Sequence, residues 1–346
     1  MRKLASVQII RDLQPIEGAD RIEIAVINNW KVVVAKDVGH KVGDAVVYCE
    51  IDSFLPVEPE FEFFRKTSHK KMGDEEGFRL KTIKLRGQVS QGLILPLKDA
   101  YQIYQRKTPN LSMGWFEGLN VTDMLGIVKY EPPIPAQLAG QVKGLFPSFI
   151  SKTGEERVQN LTDEYTGYTL RSDHQFFATE KLDGSSSTFF FNNGEFGVCS
   201  RNLELKETDD NTFWKLARSL KLEEKLRGLG RNLALQGELI GEGVQDNPYK
   251  IKGQTVKFFN VFDIEKYEKL SFQEFLEIIE KLGLESVPVV SSPFLLPNSV
   301  EEMIKEADGK SILNPSVSRE GLVIRSMDMS ISFKAISNNW LLNEEK

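Results

Sequence analysis

Between Gln175 and Phe191 the chain reads as strand, tight turn, strand, with a single lysine held at the turn. Gln175-Phe176-Phe177-Ala178-Thr179 and Ser187-Thr188-Phe189-Phe190-Phe191 are β-branched and aromatic runs, and Glu180-Lys181-Leu182-Asp183-Gly184-Ser185-Ser186 lies between them. This commits the middle of the chain to sheet and poses a chemical alternative for Lys181. A lysine on a solvated β-turn is an ordinary surface feature. A lysine that attacks phosphorus or a carbonyl must be a free amine, which a pKa of about 10.4 leaves to roughly one molecule in a thousand near neutral pH, so its site has to lower that value. Gly184 would let a phosphate approach the backbone closely.

Downstream of the lysine, strands and helices alternate. Residues 211–229 read as one amphipathic helix with Phe213, Leu216, Ala217 and Leu220 on one face. Ser271-Phe272-Gln273-Glu274 and Ser299-Val300-Glu301-Glu302 are capping boxes, with Gly283 and Gly309 where helix stops belong. Strands are expected over 194–200, 232–239, 255–263, 321–325 and 330–336. Helices interspersed with hairpin-like strands predict an α+β domain.

Residues 1–130 instead carry short β-type runs (25–28, 31–35, 45–51, 78–85 and 91–96) between turn residues, the pattern of a small barrel. Ile16-Glu17-Gly18-Ala19-Asp20-Arg21-Ile22-Glu23, followed by Val42-Gly43-Asp44-Ala45-Val46-Val47-Tyr48, resembles the OB modules attached to some aminoacyl-tRNA synthetases. Arg65, Lys66, Lys70, Lys71, Arg79, Lys81, Lys84 and Arg86 face only Asp74, Glu75 and Glu76 within residues 65–86. Strand alternation would put Arg79, Lys81 and Ile83 on one face and Lys84 and Arg86 on the other. Either this is a solvated edge strand protected by lysines, or Lys81, Lys84 and Arg86 contact an RNA backbone. Prolines and glycines from Glu131-Pro132-Pro133-Ile134-Pro135 to Gly154 mark residues 131–160 as a linker, leaving 161–346 as the second domain.

With 346 residues, 40% hydrophobic and 27% charged, the chain is an ordinary globular protein of two domains. No apolar stretch is long enough to span a bilayer and the start, Met1-Arg2-Lys3-Leu4-Ala5-Ser6, is no secretion signal, so a cytoplasmic monomer with no membrane partner is the expectation. Cys49 and Cys199 fit buried free thiols, and His40, His69 and His174 are too scattered for a transition-metal cluster. Net charge −6 excludes a generally basic nucleic-acid coat and leaves room for a local basic groove.

Five further stretches change the weight of Lys181. They are Cys199-Ser200-Arg201-Asn202-Leu203, Leu235-Gln236-Gly237-Glu238-Leu239, Lys257-Phe258-Phe259-Asn260-Val261-Phe262-Asp263, Ser318-Arg319-Glu320-Gly321-Leu322 and Ser332-Phe333-Lys334-Ala335-Ile336. Each is a strand with one or two polar residues among apolar ones, as in a nucleotide pocket built on a sheet. In order and content they, with Lys-x-Asp-Gly, resemble the six motifs of the covalent nucleotidyltransferases. The chain is most similar to the fifth family of ATP-dependent RNA ligases, in which an OB-like barrel precedes an adenylating domain built on antiparallel sheets.

The resemblance implies that Lys181 attacks the α-phosphorus of ATP and becomes a lysyl-AMP, that Lys334 sits on the α-phosphate oxygens, and that Arg201 binds ribose or the RNA phosphate. It implies that Glu180 reads the adenine amine and that Phe262 stacks on the base, with Phe258 and Phe259 competing and core packing as the ordinary alternative. Glu238 and Glu320 would bind ribose hydroxyls or, with Asp183, the hydration shell of Mg²⁺, for which Mn²⁺ can substitute. The partner implied is RNA with 3′-hydroxyl and 5′-phosphate ends, such as a nicked duplex, in RNA repair. Two departures stand out: Ser332 replaces the first lysine of a Lys-x-Lys pair, and Ser186 an asparagine common in RNA ligases. A DNA ligase with the same chemistry and a non-catalytic RNA-binding protein on a ligase scaffold are the rival readings.

Overall fold

The computed structural model describes residues 3–109, 114–131, 140–170 and 174–343. The chain divides into two compact units, residues 1–134 and 135–345.

The first unit is built of short antiparallel strands. Ala45–Cys49 runs between Ala5–Ile9 and Leu93–Pro96; Asp12–Pro15, Ile22–Ile27 and Trp30–Ala35 form a meander; Val128–Lys129, Ser53–Pro56, Glu75–Arg79 and His69–Met72 form a four-stranded sheet. Period-two alternation sets what is buried: Trp30, Val32 and Val34 point inward while Lys31 and Ala35 face water. These three pack with Ile10, Ala25, Ile27, Tyr48 and Ile94, and each buried valine or isoleucine contributes roughly 1.5–3 kcal/mol. A second core of Val7, Val47, Leu55, Phe61 and Phe78 receives Ala100, Ile103 and Tyr104 of the helix Leu97–Lys107. This is the OB-like unit expected.

Two expected strands are broken. The run 78–85 ends as Glu75–Arg79 in the four-stranded sheet, Leu80 drops into the core, and Thr82–Leu85 pairs with Gln88–Gln91 as a separate hairpin. Its turn is Arg86-Gly87, with φ of 47° and 83°, the primed geometry that matches strand twist. The face alternation expected through Arg79, Lys81 and Ile83 is therefore interrupted. The run 91–96 breaks at Gly92, where φ is 101° and a Cβ would meet the Cys49 carbonyl oxygen at 2.5 Å.

The second unit holds two sheets. Seven strands run in the order Val142–Leu145, Leu203–Leu205, Glu195–Cys199, Ser185–Asn192, Leu233–Gly241, Gln254–Asp263, Glu268–Lys269, and five in the order Glu156–Arg157, Ser332–Ile336, Gly321–Ser326, Phe176–Lys181, Val289–Phe294. Among the described residues, all pairings between these strands are antiparallel except Glu156–Arg157 beside Ser332–Ile336. The α+β class expected for this half stands.

The helix expected over 211–229 is two, Thr212–Ser219 and Leu222–Gly228, because Lys221 takes a left-handed φ of 54°. Ser271 caps the helix Phe272–Lys281 with the full capping box. At Val300–Ala307 Ser299 accepts from Glu302 N–H, but the Glu302 carboxylate takes the Asn298 N–H instead, so only half of that box forms.

The stretch 131–160 is not a linker throughout. Pro132, Pro133, Ile134 and Pro135 lie outside the described residues, and from 140 onward the chain is folded into the second unit. It leaves the edge of one sheet as Val142–Leu145 and joins the edge of the other as Glu156–Arg157. Among the described residues no helix is long and apolar enough to cross a membrane.

Candidate active site

The strands either side of Lys181 do not pair with each other. Phe176–Lys181 lies between Gly321–Ser326 and Val289–Phe294 in the five-stranded sheet, whereas Ser185–Asn192 lies between Glu195–Cys199 and Leu233–Gly241 in the seven-stranded one. The turn at residues 182–184 is where the chain passes from one sheet to the other. Gly184 serves that crossing: a Cβ there would meet the Leu239 carbonyl oxygen at 2.4 Å, so it is the neighbouring strand, rather than a phosphate, that approaches its backbone. The Asp183 N–H donates to the buried Tyr249 hydroxyl at 2.6 Å and the Gln245 amide to the Gly184 carbonyl at 3.2 Å, which fixes the turn.

Strand register then gathers the polar residues. Lys181 is opposite Gly321, which puts Glu320 beside it, and the Lys181 Nζ to Glu320 Oε1 distance is 2.7 Å. Ser186 is opposite Glu238, and Lys334 is opposite Val323 on one side and Arg157 on the other. Arg201 is exposed just beyond the strand Glu195–Cys199, close enough for its charge to act on Glu238.

Charge in this cluster is predominantly negative. Burial pulls the Lys181 pKa down, but Glu320, Glu238 and Asp183 outweigh it and hold the ammonium above its ordinary value. Burial by itself therefore does not supply the lowering that a nucleophilic lysine needs, which leaves it to a neighbouring cation or metal. Burial pushes Glu238 up to about 8; Lys181 opposes that, and the carboxylates of Glu320 and Asp183 reinforce it. Glu320 Oε2 is buried without a hydrogen-bond partner among the described residues. Asp183, Glu238 and Glu320 thus repel one another around the Lys181 ammonium. Among the described residues no three His, Cys, Asp or Glu side chains are close enough to hold a metal ion directly. The set suits an ion that keeps its own waters.

Glu180 reaches the other way. Its Oε2 accepts from the Ile312 N–H at 2.8 Å, its Oε1 is buried without a hydrogen-bond partner among the described residues, and burial raises its pKa. The stacking role expected of Phe262 does not fit: it is 2% exposed, packed with Phe146, Ile150 and Phe190 and with its ring 5.2 Å from that of Tyr267. Phe258 is fully buried in the main core. Phe259, at a β-bulge between Gln236 and Gly237 of the facing strand, is the half-buried ring of the three, and it packs against Leu182, Ile240, Tyr249 and Val287. It therefore stands next to the residue that follows Lys181.

Several residues of the site were not legible beforehand. Residues 146–153 lie across the seven-stranded sheet: Phe146 and Ile150 cover Phe190 and Phe262, the Gln236 amide donates to the Ser151 carbonyl at 2.9 Å, and the Thr153 and Ser186 hydroxyls are 2.9 Å apart. Glu155 then reaches the five-stranded sheet, where it accepts from Arg325 at 2.7 Å and from the Ser332 hydroxyl. Burial opposes ionisation of Glu155, but Arg325, Lys269 and Ser332 push its pKa down to about 2. Arg157, buried beside Lys334, is a second cation that neither periodicity nor motif marked.

In the first unit much of the basic run is already paired. Arg65 binds Glu62 at 2.7 Å and lies over Phe78, Arg79 binds Asp52 at 3.3 Å and lies over Tyr130, and Lys71 binds Glu76 at 3.2 Å. Lys84 and Arg86 are exposed on the hairpin beside the exposed Ile83 and Leu85, and Lys81 is half-buried at its base.

Residues 4–97 match an OB-fold domain family and residues 174–340 an RNA ligase family. A comparison with curated proteins gives no match. Solved structures of Naegleria gruberi RNA ligase are similar along the whole chain. A mutant with AMP and manganese is 40% identical over 100% of this chain and 99% of that one, with a TM-score of 0.89. A mutant with ATP and manganese is 40% identical over 99% of each chain, at 0.88. The ligase with pyrophosphate is 41% identical over 99% and 98%, also at 0.88.

Proposed function

The chain belongs to the ATP-dependent RNA ligases, and on that premise we propose that it joins RNA 3′-hydroxyl and 5′-phosphate ends through a lysyl-AMP on Lys181 and an RNA-adenylate, in the repair of broken RNA. The observation that carries this is Lys181 Nζ, 2.7 Å from Glu320 and enclosed by the charges of Glu238 and Asp183, on the turn that joins the two sheets. In the first step the Lys181 amine bonds to the α-phosphorus of ATP and the bond to pyrophosphate breaks. In the second, an RNA 5′-phosphate oxygen takes the adenylyl group and Lys181 leaves as the amine. In the third, an RNA 3′-hydroxyl attacks the activated phosphate and AMP departs.

Each step builds negative charge on phosphate oxygens, which fixed cations stabilise in a site with little water. Lys334 and its neighbour Arg157 are assigned to the α-phosphate, and Arg201 to the RNA phosphate of the later steps. Asp183, Glu238 and Glu320 would hold a hydrated Mg²⁺ or Mn²⁺, and the orphaned Glu320 Oε2 supports that fit. Such an ion neutralises carboxylates that otherwise keep Lys181 protonated. The orphaned Glu180 Oε1 suits the exocyclic amine of adenine, and Phe259 is assigned the stacking face. Residues 1–130, with Lys81, Lys84 and Arg86 on or beside the exposed hairpin, are assigned to the RNA backbone.

The test is a nicked RNA duplex with a labelled 5′-phosphate, incubated with ATP and Mg²⁺. The proposal expects a sealed strand and a transient AMP-capped strand; sealing of DNA nicks alone would replace RNA repair with the DNA ligase reading.

A further inference from the structure

One large ring on the sheet that carries Glu238 and Ser186 has no part in the chemistry above. Phe149 is 36% exposed, yet its position is fixed: it meets Phe190 edge to face, with ring centres 5.3 Å apart and planes at 80°. Phe190 belongs to Ser185–Asn192, the strand that begins at the Lys181 turn. The segment bearing Phe149 is anchored on both sides, by Phe146 and Ile150 in the core and by the bonds from Ser151 to Gln236 and from Thr153 to Ser186. An exposed aromatic at a loop tip is common, whereas one held on a strap tied to the strands that carry Glu238 and Ser186 is oriented.

Cations lie on the same strap and on the turn bonded to it. Lys152 donates to the Asn202 side chain at 3.4 Å, with its ammonium 5.9 Å from the Phe146 ring, and the Phe146 N–H bonds the Asn202 carbonyl at 3.0 Å. This ties the strap to the turn that carries exposed Arg201, whose charge reaches Glu238. A partly exposed ring with cations on the same strap and on the turn bonded to it is a composition that binds a nucleotide without regard to sequence: the base stacks and the phosphate pairs.

We propose that Phe149, braced by Phe190, with Lys152 on its own strap and Arg201 on the turn bonded to that strap, is the stacking platform for the nucleobase at the RNA end being joined, with the two cations on its phosphates. The inference rests on the RNA ligase function above and adds a subsite to it. The adenosine of ATP is a poorer occupant, because Glu180, assigned to the adenine amine, lies on a strand of the five-stranded sheet, whereas Phe149 packs on Phe190 of the seven-stranded sheet. A base on Phe149 would help hold the reacting phosphate and hydroxyl at Lys181 while leaving transfer of AMP from ATP to the enzyme untouched.

The test separates the steps, using the full chain, a nicked RNA duplex and a 5′-phosphorylated single strand. Phe149→Ala is expected to adenylate itself at the wild-type rate, which also shows that it is folded, while its KM for RNA sealing rises roughly tenfold or more, as loss of a base–aromatic stack implies. Phe149→Trp should seal like wild type. Lys152→Ala should weaken RNA binding and lower its salt dependence by about one counterion. Sealing by Phe149→Ala with an unchanged KM, or a Phe149→Trp variant as poor as Phe149→Ala, would overturn the platform and leave the ligase reading intact. A wild-type protein that adenylates itself but seals no RNA would overturn the RNA reading, and the platform with it.

Discussion

The Lys181 ammonium sits 2.7 Å from the Glu320 carboxylate, on adjacent antiparallel strands that place Lys181 opposite Gly321. The nucleophile of the proposed reaction is thus held as its own inactive, protonated form by the residues proposed to bind the divalent cation. Without that cation, Lys181 should be a slow target for an amine-directed acylating reagent at pH 8 compared with exposed Lys252. Removing one anion lowers the pKa of a neighbouring ammonium, so Glu320→Gln should shift the pH profile of Lys181 labelling to lower pH. Peptide mass spectrometry reads both effects, and a profile that does not move would show that Glu320 does not control the amine.

Gly184 is confined by packing. A methyl group there would press on the Leu239 carbonyl oxygen at 2.4 Å and on the Glu238 side chain at 2.9 Å. Gly184→Ala should cost on the order of 1–3 kcal/mol in urea unfolding, and should depress self-adenylation further because Glu238 must move. Wild-type stability and activity in this variant would mean that the strands are not in such close contact.

The Glu155 to Arg325 pair links the strap to the five-stranded sheet at a buried site. A carboxylate pKa depressed from 4.5 to about 2 stabilises the folded state above the unfolded pKa, and that stability is lost as pH falls through the folded value. The linkage is worth on the order of 3 kcal/mol at neutral pH. Urea unfolding of wild type and Glu155→Gln should differ by a few kcal/mol at pH 7, and the gap should close between about pH 4.5 and pH 2. A gap independent of pH would show that Glu155 acts by packing alone.

Phe259 and Phe262 should separate by effect. Phe262→Ala empties a core position and should cost roughly 3–5 kcal/mol of stability. Phe259→Ala removes the half-buried ring and should weaken ATP binding roughly 5- to 150-fold, the range for loss of one base stack. Equilibrium unfolding and ATP titration of both variants distinguish them; weakened ATP binding confined to Phe262→Ala would restore the assignment made from the motif.

The elements that periodicity or capping dictates were legible in the sequence, and those set by long-range pairing were not. The Ser271 box, the strands bearing Glu238 and Lys334 and the strand that Glu320 precedes follow from local chemistry and from residue order. The break at Lys221 does not, because a lysine in the left-handed region gives no turn signal. Residues 140–160 are rich in glycine and proline and read as connection, yet their backbone pairs with Leu203–Leu205 and Ser332–Ile336, partners far along the chain. That is why Arg157 and Phe149 went unmarked. Phe259 is among the three rings the sequence offers for stacking but cannot be ranked there, because a bulge turns a side chain without leaving a mark in the alternation.

The most direct test of the central claim is covalent labelling. The purified protein, freed of bound AMP, is incubated with a divalent cation and ATP labelled at the α-phosphate, beside GTP labelled in the same way. The account predicts acid-labile label on the protein from ATP alone, mapped to Lys181 and absent from Lys181→Ala. A folded wild-type protein that takes up no label, or takes it up equally without Lys181, would contradict it.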